Sequence, residues 1–371
     1  MKKFGYIFMV MAALCGFLTA CNEVQAVKEV EQGALTLTIL GDVATKAPNI
    51  EAQAYEKSVN SLDLYVFEGG STLYFHERLV PNGTPSDAQR LEYTFNGTNG
   101  SISATVKKLP AATYTLLMVA NLPASQLNGL TTISAIEGAA ITLANCSTTA
   151  SSGFVMYAKK ESVTVAGGQT TTVPGEIQLE RFASRVRLVS VKNTIPSTAA
   201  YSNNNAISVN GVFLSNVASA WTIGAASAAT TATNIRGKQN NNNIAPSTSV
   251  TYPVTLYKPS TDAAVAQGAT TQLGWNTYGF PTTAVLSGAT EPKLVVCATV
   301  NGTMYYYPVF LIQASPYQAR GGIERNKSYD IAVEISGTGS TDPDARVERG
   351  AISATVTVKD WVAGAEYTEQ I

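Results

Sequence analysis

One histidine, His76, and four cysteines, Cys15, Cys21, Cys146 and Cys297, stand among 371 residues. A zinc site built from several imidazoles is thereby excluded, and a Ser-His-Asp or Cys-His enzyme would rest on His76 alone. That residue lies in Leu73-Tyr74-Phe75-His76-Glu77-Arg78, where it alternates with apolar residues as in a half-exposed strand. No nucleophile motif accompanies it. No Gly-rich phosphate loop follows a strand, and no Gly-x-Ser-x-Gly occurs. Asp342-Pro343-Asp344, after the Gly-rich run 337–341, lacks the graded oxygen ligands of a calcium loop and reads as a solvated turn. Arg181, Arg185 and Arg187 beside Glu180 admit two readings, an anion site or an ion-pair seam between domains. The residue types therefore point away from an enzyme, and neither a metal nor an organic cofactor is expected.

The informative chemistry lies near the N-terminus. Lys2 and Lys3 precede an apolar run from Phe4 to Ala20, too short for a comfortable membrane span and fitting a signal-peptide core. The run ends Leu18-Thr19-Ala20-Cys21, small residues before a cysteine, which resembles a bacterial lipobox with Cys21 as the diacylated mature N-terminus. Two or three acyl chains anchor stably where one does not. Export would remove Cys15 and leave Cys146 and Cys297, either as a disulfide or as two separate small buried hydrophobes.

These features are carried by a sheet-rich chain. Apolar residues make up 45% and charged residues only 14%, with a net charge of -1, which argues against nucleic acid as a partner. Strand-like runs recur at 62–67, 102–106, 114–120, 154–157 and 163–165, then at 186–191, 207–214, 250–257, 294–300, 304–312, 329–335 and 352–358. Six Asn-Gly pairs, beginning at Asn82, Asn96, Asn99, Asn128, Asn210 and Asn301, are expected to mark hairpin turns. A short helix is expected within 126–143. Short strands at this spacing predict sandwiches, with a domain boundary near residue 180. The pentapeptide Ile-Ser-Ala-Thr-Val occurs twice, at 102–106 and 352–356. Two strands alternate strictly: Leu35, Leu37 and Ile39 share one face, and Ile352, Ala354, Val356 and Val358 share another. The first is followed by a polar loop, Gly41-Asp42-Val43-Ala44-Thr45-Lys46-Ala47-Pro48.

With those segments in view, the chain resembles the FimA-type fimbrillins, shaft subunits of type V pili. The segments that carry the resemblance are Gly322-Ile323-Glu324-Arg325-Asn326-Lys327-Ser328-Tyr329-Asp330-Ile331 and Val358-Lys359-Asp360-Trp361-Val362. Tyr114 to Asn121, Gly153 to Met156, Ser162 to Val165 and Leu179 to Val186 fit in the same order. The resemblance implies an all-β chain with two transthyretin-like β-sandwich domains in tandem. Mapped here, residues 1–20 are signal peptide, 21–46 a lipidated propeptide, 47–179 one sandwich and 180–371 the other. A trypsin-like protease would cut Lys46-Ala47, with Lys57 a competing site, and remove the strand of Leu35, Leu37 and Ile39. The donor region 351–371 of a neighbouring copy, with Ile352, Ala354, Val356 and Val358, would fill the opened groove. The implied product is a surface fimbrium used in adhesion and biofilm formation, starting from an outer-membrane lipoprotein precursor. The implied partners are further copies, anchor and tip subunits, the protease and an unidentified surface receptor. Two other roles are compatible with export: an anchor or tip accessory subunit, or a glycan-binding lipoprotein displaying Tyr305-Tyr306-Tyr307.

Overall fold

The computed structural model describes residues 31–41, 54–96, 100–145, 153–199, 206–224, 234–240, 243–246, 256–257, 261–282, 291–311, 322–343, 345, 347, 350–360 and 366–370. The first half of the chain supplies strands β1 (Gln32–Leu40), β2 (Leu62–Glu68), β3 (Thr72–Leu79), β4 (Leu91–Asn96), β5 (Ser101–Pro110) and β6 (Ala112–Ala120). They are followed by β7 (Ala140–Thr142), β8 (Met156–Val165), β9 (Thr170–Thr172), β10 (Ile177–Gln178) and β11 (Glu180–Arg181). Among the described residues three single-turn α-helices interrupt them, α1 (Ala54–Lys57), α2 (Ala124–Leu127) and α3 (Ile133–Glu137), with a 3-10 turn at Leu143–Asn145; α2 and α3 lie in and around the stretch where a helix was expected. Thr132 caps α3 by accepting a hydrogen bond from the Ala135 amide, which satisfies one otherwise orphaned donor.

Two sheets face each other in this half. One has the order β10-β1-β5-β4 with β9 also on β1; the other has the order β11-β8-β6-β2-β3. The alternation that predicted half-buried strands is what closes them. Leu62, Leu64 and Val66 on β2 meet Leu35, Leu37 and Ile39 on β1 and Ile102, Ala104 and Val106 on β5 in one buried cluster.

The second half supplies β12 (Ser184–Asn193), β13 (Ala206–Ala218), β14 (Ala220–Thr222), β15 (Asn234–Asn240), β16 (Asn243–Pro246), β17 (Leu256–Tyr257) and β18 (Ala263–Ala266). It continues with β19 (Thr270–Gly279), β20 (Lys293–Val300), β21 (Thr303–Phe310), β22 (Lys327–Ile335), β23 (Ile352–Asp360) and β24 (Glu366–Gln370). A sheet of order β19-β12-β22-β23-β24 packs on one of order β16-β15-β13-β20-β21, with β17 and β18 also on β13. The architecture is all-β, two sandwiches in tandem, as expected.

The junction between them is itself packed. Tyr65, Phe67, Leu117 and Val119, on the far face of the first half's inner sheet, belong to the same buried cluster as Val186, Leu188, Val212 and Ile331. A short ladder crosses the junction, pairing Ile141 of β7 with Trp221 of β14.

The Asn-Gly expectation needs correction. Asn301-Gly302 does form a two-residue hairpin, with both residues at positive φ (48° and 79°) between paired Val300 and Thr303. The β4–β5 connection likewise joins paired Asn96 and Ser101. Asn210-Gly211, however, sits inside β13, where the register to β20 shifts between Val209 and Gly211. Asn128-Gly129 follows α2, and Asn82-Gly83 turns the chain after β3 without pairing two strands. The dipeptide supplies positive φ wherever backbone needs it, and a hairpin is only one such place.

Candidate functional site: the strand β1 and the slot around it

Strand β1 is central, with a partner along each edge. On one side it runs antiparallel to β5, from Gln32 opposite Pro110 to Leu40 opposite Ser101. On the other it runs parallel to β9, which pairs Leu35 with Thr171, and to β10, which pairs Ile39 with Ile177. Leu35, Leu37 and Ile39 are 0%, 1% and 0% exposed, while Thr36 and Thr38 point outward. Thr36 and Thr105 hydroxyls meet at 3.2 Å on that outer face. Three large aliphatic side chains at about 1.5–3 kcal/mol each give β1 on the order of 5–9 kcal/mol of apolar burial, an upper bound.

The ends of the slot are narrow. At Gly33 a Cβ would fall 2.2 Å from the Ala166 carbonyl oxygen and 2.8 Å from that of Gln169. Both are backbone atoms of the turn between β8 and β9, so this point admits glycine alone. At Gly41 a Cβ would fall 2.7 Å from Val59 Cγ2 and 3.2 Å from the Gly100 backbone.

The second alternating strand, β23, lies between β22 and β24. It pairs with β22 from Ile352 opposite Ile335 to Asp360 opposite Lys327. Ala354 and Val356 are each 5% exposed and face the core, while Ile352 and Val358 pack against its margin. Strand β24 completes the sheet as its edge, pairing Thr357 with Thr368.

Between β1 and β2 the single turn α1 delivers a feature the sequence did not reveal. Glu56 is 0% exposed, and its carboxylate accepts from Arg185 Nη1 at 3.2–3.3 Å and from the Tyr278 hydroxyl at 2.6 Å. Its carbonyl accepts from Arg181 Nε at 2.6 Å. Burial first, and then the Glu56 charge, pushes the Tyr278 phenol far above its ordinary value, so it stays a donor. Arg325 covers the outside, 4.4 Å from the Phe182 ring centroid and 3.2 Å from Glu180 Oε2. Arg185 therefore forms an ion pair with Glu56 in a seam between the two sandwiches, and Arg181 joins that seam through its hydrogen bond to the Glu56 carbonyl. Glu56→Ala is expected to destabilise the protein by about 3–5 kcal/mol in urea unfolding, because it takes the carboxylate away from the buried Arg185 charge. A change below about 1 kcal/mol, the level of an exposed pair, would show the seam to be superficial.

His76 lies on β3, half-exposed, stacked on Tyr65 at 4.1 Å between centroids with Nε2 3.1 Å from Asp63 Oδ1. Arg78 holds the other oxygen of Asp63 at 2.5 Å, so His76 and Arg78 cover a buried carboxylate at the margin of the sheet. Cys297 is a buried thiol on β20, outside any disulfide, packed against Phe213 and Val295. Tyr307 is buried, Tyr305 and Tyr306 are half-buried, and Trp221 and Trp275 are buried, so no open aromatic platform forms among the described residues. Cys21, Lys46, Ala47, Cys146 and Trp361 lie outside the described residues. Among the described residues no group of three potential metal ligands occurs, and no helix is long and apolar enough to cross a membrane.

Three solved structures share this architecture. A protein from Parabacteroides distasonis assigned to cell adhesion superposes with a TM-score of 0.59 at 15% identity, over 91% of this chain and 99% of its own. One from Bacteroides eggerthii with the same assignment gives 0.57 at 22% identity, over 89% and 96%. A fimbrilin (fimA) from Porphyromonas gingivalis gives 0.55 at 14% identity, over 90% and 99%. No curated relative matches by sequence. The fold thus defines the class, a fimbrilin-type tandem β-sandwich. The family model describing the fimbrillin-A associated anchor proteins Mfa1 and Mfa2 matches residues 28–363, and the chain belongs to that family. It is a family of fimbrial proteins, not of enzymes.

Proposed function

We propose that this protein is a fimbrial shaft subunit that polymerises by exchange of strands after proteolysis. The observation that carries the reading is the position of β1: a central strand, laddered on both edges, that precedes the Lys46 loop. Cutting Lys46-Ala47 would detach residues 21–46, with Leu35, Leu37 and Ile39, from a protein whose remaining strands follow the cut. Loss of β1 would leave two rows of ladder groups and an apolar slot open, an edge with strong affinity for another strand. A strand from the C-terminal region 351–371 of a second copy would restore both, by β-augmentation. Because acceptor slot and donor strand lie on different parts of each copy, the contact is heterologous, and repeated head to tail without closing into a ring it would extend into a filament. While β1 is in place the subunit remains a monomer.

Before the cut, Cys21 would carry the precursor to the outer membrane by its acyl chains, and the assembled fimbrium would serve adhesion. The protease is of trypsin-like specificity. Anchor and tip subunits of the same family are the other expected partners. The second reading is an anchor subunit, favoured by the family description, which names anchor proteins. An anchor keeps its lipid and its first strand. N-terminal sequencing of surface-sheared filaments separates the two: Ala47 is expected for the shaft, whereas a lipid-blocked Cys21 on polymerised material overturns it.

A further inference from the structure

We propose that the slot of β1 accepts one segment of a second copy, Gly350 to Val356, in a single register. Gly350 takes the place of Gly33, and Ile352, Ala354 and Val356 take those of Leu35, Leu37 and Ile39. The inference rests on the strand-exchange reading above and specifies the partner of that slot.

The two segments are the same cassette. Gly33-Ala34-Leu35-Thr36-Leu37-Thr38-Ile39 and Gly350-Ala351-Ile352-Ser353-Ala354-Thr355-Val356 share glycine, alanine, three aliphatic positions and two hydroxyl positions, in order. Gly33 fixes the frame, because backbone oxygens at 2.2 and 2.8 Å from its Cβ position exclude every other residue. Sliding the donor by two residues in either direction puts Ile352 or Glu348 against those oxygens. From Gly350 to the end of the chain, only Gly350 and Gly364 can stand there. The Gly364 frame would bury Glu366, Thr368 and Gln370 where Leu35, Leu37 and Ile39 now sit. An unpaired carboxylate in that cluster is prohibitive. The Gly350 frame buries only aliphatic side chains.

The acceptor already packs this sequence. On β5 the identical pentapeptide turns Ile102, Ala104 and Val106 into the same cluster, at 0%, 2% and 0% exposure. At home Ala354 and Val356 also face inward, so the inserted strand keeps its face. The match ends where the slot ends. Val358 would fall on Gly41, against Val59 and the Gly100 backbone, so the donor leaves the sheet after Thr357. Val358 thus lies outside the slot, unlike the other three residues of that alternating face.

Disulfide trapping in assembled filaments tests the register. Leu37 pairs with Ala104, so Ala354→Cys combined with Ala104→Cys is expected to give an intermolecular ladder on oxidation. Ala104→Cys combined with Ile352→Cys or Val356→Cys is expected to give little. Single-cysteine variants control for Cys146 and Cys297. Filaments linked mainly through position 352 or 356 overturn the register, and filaments linked through none of the three overturn the segment. If the wild-type chain forms no filaments after cleavage, it is the exchange reading that fails. A synthetic peptide of residues 349–357 supplies a measurement free of folding defects in the donor. It is expected to slow assembly, and its Gly350→Val form to lose roughly tenfold or more of that potency. Equal potency overturns the glycine requirement.

Discussion

Lys46→Ala is expected to yield a folded precursor that stays monomeric in the presence of the processing protease. The reason lies in how β1 is held. While the 41–53 connection is intact, β1 is tethered to its own slot, and any incoming strand competes with a ligand at very high effective concentration. Cleavage removes that advantage without changing a single contact. The competition is otherwise unfavourable to a second copy: the segment Ile352, Ala354, Val356 carries four fewer side-chain carbons than Leu35, Leu37, Ile39. At about 0.8 kcal/mol per buried methylene, the replacement strand is weaker by roughly 3 kcal/mol before any ordering cost. On the strand-exchange reading, assembly would therefore depend on the cut and on loss of the freed strand. Size-exclusion chromatography and electron microscopy of the protease-treated variant check this. Filaments in wild-type amounts would move the cut away from Lys46, with Lys57, the last residue of α1, the next candidate.

Much of this was legible in the sequence because one physical signal dominates it. Period-two alternation in Ala34 to Leu40 gave β1 its buried face, and the same signal gave β23 its own. His76 reads as a surface strand residue for the same reason. What stayed hidden has no periodic signature. Strand β9 is Thr170-Thr171-Thr172, whose residues are exposed or half-buried, and nothing local announces that it runs parallel to a strand more than a hundred residues earlier. Glu56 lies in a four-residue helix, where a single acidic residue ordinarily meets solvent. Arg185 and Tyr278 reach it from the other sandwich, a contact distant in sequence. Gly33 and Gly350 look like strand-flanking punctuation until the Ala166 carbonyl is seen above one of them. Charge poverty would have a physical reading in a filament: a net charge of -1 would keep repulsion between stacked copies small.

Ala332→Cys combined with Thr355→Cys is expected to block assembly under oxidising conditions, even after the cut, and to permit it again on addition of a reductant. These residues lie opposite each other across the β22–β23 ladder, and both are half-buried. At home β23 forms ladders with both β22 and β24 and turns Ala354 and Val356 into the core, so donation requires it to withdraw from its own sandwich. Withdrawal makes β22 a new edge and opens one margin of the C-terminal core. In strand exchange that cost would be offset only if the β1 slot of another copy is vacant, so emptying of one slot and release of one hairpin would favour each other along a filament. A disulfide between β22 and β23 leaves the acceptor slot untouched and removes the donor alone. Mixed with unlocked copies, oxidised locked subunits should therefore accept a donor and terminate growth, shortening filaments in proportion to their share. If locked subunits elongate filaments as the wild type does, β23 never leaves home, and the donor must lie beyond Asp360.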